Sequence, residues 1–254
     1  MRRYPFGTLL LALLLIGGCA SVTDPTKDWT PERFYQEAKD KLNDGDYPAA
    51  IKYFEQLEAR YPYGRHSEQA QLEIAYAYYK DEEPALALAA ADRFIRQHPT
   101  HPHVDYAYYL KGLINFRGHV GLVNWLLGAK DDPSDHDPKA ARDSYEAFRE
   151  LVERFPKSRY AEDSRQRMAY LFDAQARFET KVARFYYEQG AYVAAVNRCK
   201  YALETYPRTP ATEDALGIQA LAYQKLGMTK LYQDTVRVLK TNFPNSRYLD
   251  ELPS

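Results

Sequence analysis

An aromatic residue or histidine followed by proline closes five amphipathic stretches: Tyr61-Pro62, His98-Pro99, Phe155-Pro156, Tyr206-Pro207 and Phe243-Pro244. The spacings between these prolines are 37, 57, 51 and 37 residues. Upstream of each pair lies an amphipathic stretch, at Ala49 to Arg60, Ala85 to Gln97, Lys139 to Arg154, Val193 to Thr205 and Lys230 to Asn242. Apolar residues there fall at i, i+3 or i+4, and i+7, as in Ala50, Phe54 and Leu57, which is the face of a helix. Proline after the last turn stops each one. A second helical pattern follows, as at Gln69 to Lys80 and Asp214 to Leu226, and short turns such as Asn43-Asp44-Gly45-Asp46 and Gln189-Gly190 join the members. No stretch alternates with period two. The chain reads as all-α, built of antiparallel helix pairs.

A helix pair with small and aromatic residues four apart and a later proline resembles the tetratricopeptide repeat. Ala50, Phe54 and Pro62 carry that pattern in the first repeat, and Ala195, Cys199 and Pro207 in the fourth. Ala75/Tyr78, Ala183/Tyr186 and Ala220/Tyr223 fill its first-helix positions. The resemblance implies a superhelix of about five pairs, at roughly 31–65, 66–101, 102–158, 159–208 and 209–248. Residues 118–137 are an insertion in the third. The fourth opens with a long helix, about Arg159 to Gln189, which is expected to divide repeats 1–3 (31–158) from repeats 4–5 (159–254). Stacked pairs leave a concave surface for partners.

The amino terminus supplies an address. Arg2 and Arg3 precede an apolar run, Phe6 to Ile16, too short for a bilayer span and suited to a signal peptide at 1–18. Ile16-Gly17-Gly18-Cys19 resembles a lipoprotein cleavage box. The likeness implies acylation of Cys19 and, with Ala20 next, delivery to the outer membrane. Residues 19–30 read as a lipidated tether. The formal net charge is −1, and −3 without the two leader arginines, which argues against nucleic acid. Cys199 is the only other thiol, so no intramolecular disulfide is expected.

Longer strings are more specific: Arg60-Tyr61-Pro62-Tyr63-Gly64, Tyr76-Ala77-Tyr78-Tyr79-Lys80, Asp92-Arg93-Phe94-Ile95-Arg96, His98-Pro99-Thr100-His101-Pro102 and Gly190 through Arg198. With the cleavage box and the repeats, they resemble the BamD (ComL-type) family of β-barrel assembly lipoproteins. The resemblance implies a non-enzymatic scaffold on the periplasmic face of the outer membrane. Its implied partners are the periplasmic domains of BamA, other lipoproteins of the BamC and BamE types, and unfolded outer-membrane proteins. It places Arg198 at the BamA contact, where a guanidinium can hold a carboxylate with two hydrogen bonds. First-helix positions facing the concave side select a groove of Tyr35, Lys39, Tyr76, Tyr79, Lys80, Tyr108 and Lys111, suited to an aromatic residue with a free carboxylate. Packing of those tyrosines between helices is the alternative. The older family name suggests another function, a peptidoglycan-associated competence lipoprotein, for which no cell-wall site is visible.

Catalytic signals are missing from the sequence. No phosphate loop, HExxH, GxSxG or dinucleotide fingerprint occurs. His98 takes the slot of Tyr61 and Phe155, so the His98, His101, His103 group reads as structural rather than metal-binding. Asp131, Asp132, Asp135 and Asp137 lack the glycine and closing glutamate of a calcium loop. Cys199 reads as a buried thiol. No cofactor is expected beyond the covalent lipid on Cys19.

Overall fold

The structure is a computed structural model that describes residues 24–119 and 138–252. The signal peptide, Cys19 and most of the 118–137 insertion lie outside the described residues. Eleven helices and no strand occur among those described. They are α1 (Pro31–Asn43), α2 (Tyr47–Arg60), α3 (Arg65–Lys80), α4 (Pro84–Gln97), α5 (Val104–His119), α6 (Pro138–Arg154), α7 (Ala161–Glu188), α8 (Tyr192–Thr205), α9 (Ala211–Lys225), α10 (Thr229–Asn242) and α11 (Tyr248–Glu251). From α1 to α10, each helix packs on the next, and α7 also touches α9.

The recurrent aromatic–proline pairs do the same job at every site. Tyr61, His98, Phe155, Tyr206 and Phe243 each donate a last backbone N–H to the residue four back, at 2.7 to 2.9 Å. The following proline has no N–H to offer and the helix ends. The turns within pairs need a left-handed residue. Gly45, Gly190 and Gly227 supply it, and Glu82 adopts the same conformation with φ 63°. At the start of α1, Thr30 accepts from Arg33 N, with Pro31 in the first turn.

Packing follows the small-and-aromatic code. Phe34, Phe54, Ala75 and Ala87 are fully buried in the first core cluster. Cys199, Leu239 and Tyr248 are fully buried in the last. Burying one such phenylalanine contributes about 1.5–3 kcal/mol. Two glycines set close helix approach: a Cβ on Gly112 would stand inside the Phe148 ring, and one on Gly217 inside the Tyr248 ring. The long helix expected near Arg159 to Gln189 is α7, with 28 residues. Arg159 itself lies in the turn before it.

Residues 24–30 differ from a free tether. Arg60 donates to Asp24 Oδ2 at 2.7 Å and to the Thr26 carbonyl, and Trp29 stacks on Tyr53 at 5.7 Å. Thr26 is buried. A polar string with one tryptophan thus docks on the first helix pair, because that indole has an apolar surface to cover.

Candidate functional site

Two surfaces carry the residues singled out in the sequence. The first lies among α1, α3 and α5. Tyr35 and Lys39 stand four apart on one face of α1, and both reach the Glu73 carboxylate on α3. Tyr35 Oη donates to it at 3.3 Å and Lys39 Nζ lies 3.1 Å away. Gln69 adds a third donor at 3.3 Å. Burial, and then the Glu73 charge, push the Tyr35 phenol well above its usual pKa, so it stays a donor.

Beside Glu73 opens a cleft of about 310 Å³. Its walls include Tyr76 from α3, Tyr106 from α5 and Arg159 with Tyr160 from the turn before α7. Tyr106 and Tyr160 rings lie 5.4 Å apart, and the Arg159 guanidinium sits 4.7 Å over Tyr160. Burial, then neighbouring Tyr76, keep the Tyr106 phenol protonated. The cleft offers aromatic faces and one guanidinium, which suits stacking against a ring or cation–π contact. It holds no nucleophile paired with a base.

The structure brings Tyr35, Lys39 and Tyr76 together around Glu73, with Tyr79 6.5 Å from Tyr76, ring to ring. It does not bring all seven groove residues together. Tyr108 is 3% exposed, packs on Phe155 at 5.7 Å and receives a hydrogen bond from Arg154. It belongs to the core. Lys111 pairs with Asp92 at 2.6 Å. Lys80 is exposed at the end of α3. The α5 tyrosine that reaches the cleft is Tyr106, two residues and thus about 200° around the helix from Tyr108. Glu73 and Arg159 were missed as well. Glu73 carried a signal, sitting four residues after Gln69 and three before Tyr76 on one α3 stripe. Arg159 carried none, because a turn residue enters only through folding.

The second surface is on α8. The Arg198 Nη1 lies 2.9 Å from Glu179 Oε2 on α7. Glu179 is buried while the Arg198 side chain is 43% exposed. One edge of the guanidinium is held and the remainder faces outward. Val193 and Tyr201, eight apart on the same helix, are also exposed. A half-held guanidinium on a helix that also exposes apolar side chains fits a protein contact.

The cysteine and histidines that the sequence singled out are held in packing and side-chain contacts. Burial pushes the Cys199 thiol up to about 12, so it is not a nucleophile near neutral pH. His98 Nε2 lies 3.1 Å from Gln71 Oε1, and His101 packs edge-on to Phe94. No cluster of three metal-ligating side chains occurs among the described residues. No helix among them is long and apolar enough to cross a membrane.

The family model for the YfiO outer membrane lipoprotein matches residues 27–239, the span that contains both surfaces. The chain belongs to this family. An outer membrane protein assembly factor BamD of Neisseria meningitidis serogroup A is 51% identical over 224 residues, spanning 88% of this chain and 83% of that protein. That of Vibrio cholerae is 39% identical over 233 residues, 92% of this chain and 96% of its own. That of Haemophilus influenzae is 33% identical over 242 residues, 95% of this chain and 92% of its own. Among solved structures, a putative kinesin light chain with TPR-like repeats from Podosopora anserina aligns with a TM-score of 0.40 at 14% identity, covering 84% of this chain and 96% of that one. The tetratricopeptide-like reading of the YfiO-family chain rests on its own helix pairs.

Proposed function

We propose that this chain is a scaffold component of the outer-membrane protein assembly machinery, which helps β-barrel proteins fold and insert. The observation that carries this is its 51% identity, over 88% of its length, to a protein named as an outer membrane protein assembly factor. Cys19 holds it by acyl chains to the periplasmic face of the outer membrane. No cofactor is needed apart from that lipid, and the work is done by binding rather than by a catalysed reaction.

In this reading the chain has two working halves. Repeats 1–3, residues 31–158, receive unfolded barrel proteins or accessory lipoproteins of the BamC and BamE types. The Tyr76–Tyr106 cleft supports that role, because its aromatic walls and Arg159 match an aromatic residue followed by a free carboxylate. Repeats 4–5, residues 159–254, grip the periplasmic domains of BamA through Arg198. Its outward-facing guanidinium supports this, since it retains donors for a partner's carboxylate.

Depletion tests the proposal. The chromosomal copy is shut off and the heat-modifiable, folded barrel proteins of the outer membrane are quantified. The proposal expects folded barrels to fall and to be restored by the plasmid-borne chain. A Cys19→Ala chain is expected to leave the membrane fraction. Unchanged barrel levels after depletion would refute it.

A further inference from the structure

Two three-helix units of this chain superpose in sequence with a constant offset of 145 residues (192 − 47). Tyr47 corresponds to Tyr192, Arg60 to Thr205, Pro84 to Thr229 and Gln97 to Asn242. The turns agree too: Gly45 matches Gly190, and left-handed Glu82 matches left-handed Gly227. The first unit is α2–α4 and the second is α8–α10. Equivalent positions can therefore be compared inside one molecule.

In the first unit, the space between the three helix ends is crossed by polar bridges. Arg93 reaches Glu58 at 3.1 Å, and His98 lies 3.1 Å from Gln71. Ser67 donates to the Tyr61 carbonyl. In the second unit every side chain that makes these bridges is replaced. Glu58 becomes Leu203, Arg93 becomes Val238, Gln71 becomes Leu216, and His98 becomes Phe243. Ser67 becomes Thr212, whose Oγ1 is buried with no hydrogen-bond partner. The bridges are gone, and a cleft of about 650 Å³ stands there, lined by these four apolar side chains. That volume lies within the range of sites that take a ligand or an anchor side chain.

The rim differs in the same directed way. Tyr63, the outermost residue of the first unit's turn at 92% exposed, corresponds to Arg208. Arg208 adopts a left-handed φ of 64°, a conformation that a side-chain-bearing residue takes up only under strain. It lines the cleft, is exposed, and makes no ion pair or side-chain hydrogen bond among the described residues. Among the described residues, no acidic one lines the cleft.

We propose that this carboxy-terminal cleft is a docking site for a segment of a partner protein that presents an apolar side chain next to a carboxylate. The apolar side chain fills the space between Leu203, Leu216, Val238 and Phe243. The carboxylate pairs with Arg208, the one charged residue among the described ones that line the cleft. This goes beyond the Arg198 contact and does not depend on it: Arg208 sits past the end of α8, ten residues from Arg198, and faces a different set of helices.

The first unit supplies the test variant. Leu203→Glu with Val238→Arg rebuilds the bridge that Glu58 and Arg93 make, closing the cleft in a form the fold already tolerates. Arg208→Glu, at an exposed turn residue, is the second variant. The probes are fluorescein-labelled heptapeptides, Gly-Ser-Phe-Glu-Ser-Gly-Ser and controls with the Phe changed to Ser or the Glu changed to Lys. Anisotropy is read with the full detergent-purified chain. The Phe-Glu peptide is expected to bind at least tenfold more tightly than either control, and each variant to lose at least tenfold with an unchanged melting temperature. Equal binding of all three peptides, no binding of the Phe-Glu peptide, or full binding by the bridged variant would overturn the proposal. So would sedimentation showing a wild-type dimer that the bridged variant makes monomeric, because the cleft would then hold a second copy of this chain.

Discussion

Arg198 on α8 and Glu179 on α7 form an ion pair of 2.9 Å whose two members live in different surroundings. The carboxylate side chain is 8% exposed and the guanidinium 43%. Removing the cation leaves a buried anion without its partner, whereas removing the anion's charge leaves an arginine that water can still solvate. Arg198→Ala is therefore expected to cost about 1–3 kcal/mol of stability. Glu179→Gln is expected to cost less. Urea unfolding of the two single variants and the double variant checks this; equal losses for both single variants would contradict it.

The close approach of helices at Gly217 and Gly112 leaves no room for a methyl group. Gly217→Ala gains about 1 kcal/mol of helix propensity but forces its Cβ into the Tyr248 ring. Overpacking of this kind costs about 1–3 kcal/mol. Both Gly217→Ala and Gly112→Ala are expected to lower the melting temperature, and a higher one for either would show that the rings have space to retreat.

Stability should fall at alkaline pH. The Cys199 thiol rises from 9.0 to about 12 through burial, and the Tyr109 phenol from 10.0 to about 12 through burial and its hydrogen bond to Asp163. Both groups are neutral acids in the fold, with folded values above the unfolded ones. Their contribution is complete below pH 9 and is lost as pH climbs toward 12. Cys199→Ala should flatten the first part of that decline, apart from its own packing cost. Below pH 9 the native thiol should resist iodoacetamide, reacting only when urea unfolds the chain. Rapid alkylation of native protein at pH 8 would contradict the burial.

The amino-terminal cleft makes a prediction about charge. Lys39 is held by Glu73 and Lys111 by Asp92, so Arg159 at the cleft wall and exposed Lys80 are the better placed cations. Affinity for a peptide ending in an aromatic residue with a free carboxylate should drop several-fold in Arg159→Ala. It should change less in Lys111→Glu, which mainly breaks a surface pair. If Lys80→Glu, Lys111→Glu and Arg159→Ala together leave that affinity unchanged, the groove reading fails.

Helix pairs were legible because their signals are local. Five aromatic–proline stops and a 3.6-residue apolar period mark the second helix of each pair without reference to any other. Cys199 could be assigned to the core for the same reason, since it occupies the repeat position of Phe54. The cleft was legible only in part. Asp105 to Tyr109 contains three tyrosines, and a helix turns about 100° per residue, so a two-residue error in register exchanges a core position for a cleft position. Tyr108 was selected where Tyr106 lines the wall. Arg159 and the docking of Trp29 depend on elements far apart in sequence, and nothing local announces them. The apolar cleft near Arg208 becomes visible only when its positions are set against the polar bridges of the first unit.

Co-purification shows whether this chain sits in a complex with a barrel protein and whether Arg198 holds it there. Membranes are solubilised in mild detergent, and complexes are pulled by a carboxy-terminal tag on wild type, Arg198→Glu and Glu179→Gln. Wild type and Glu179→Gln are expected to recover a large outer-membrane barrel protein, and Arg198→Glu to lose it. Absence of any barrel protein from the wild-type sample would contradict the assembly function itself.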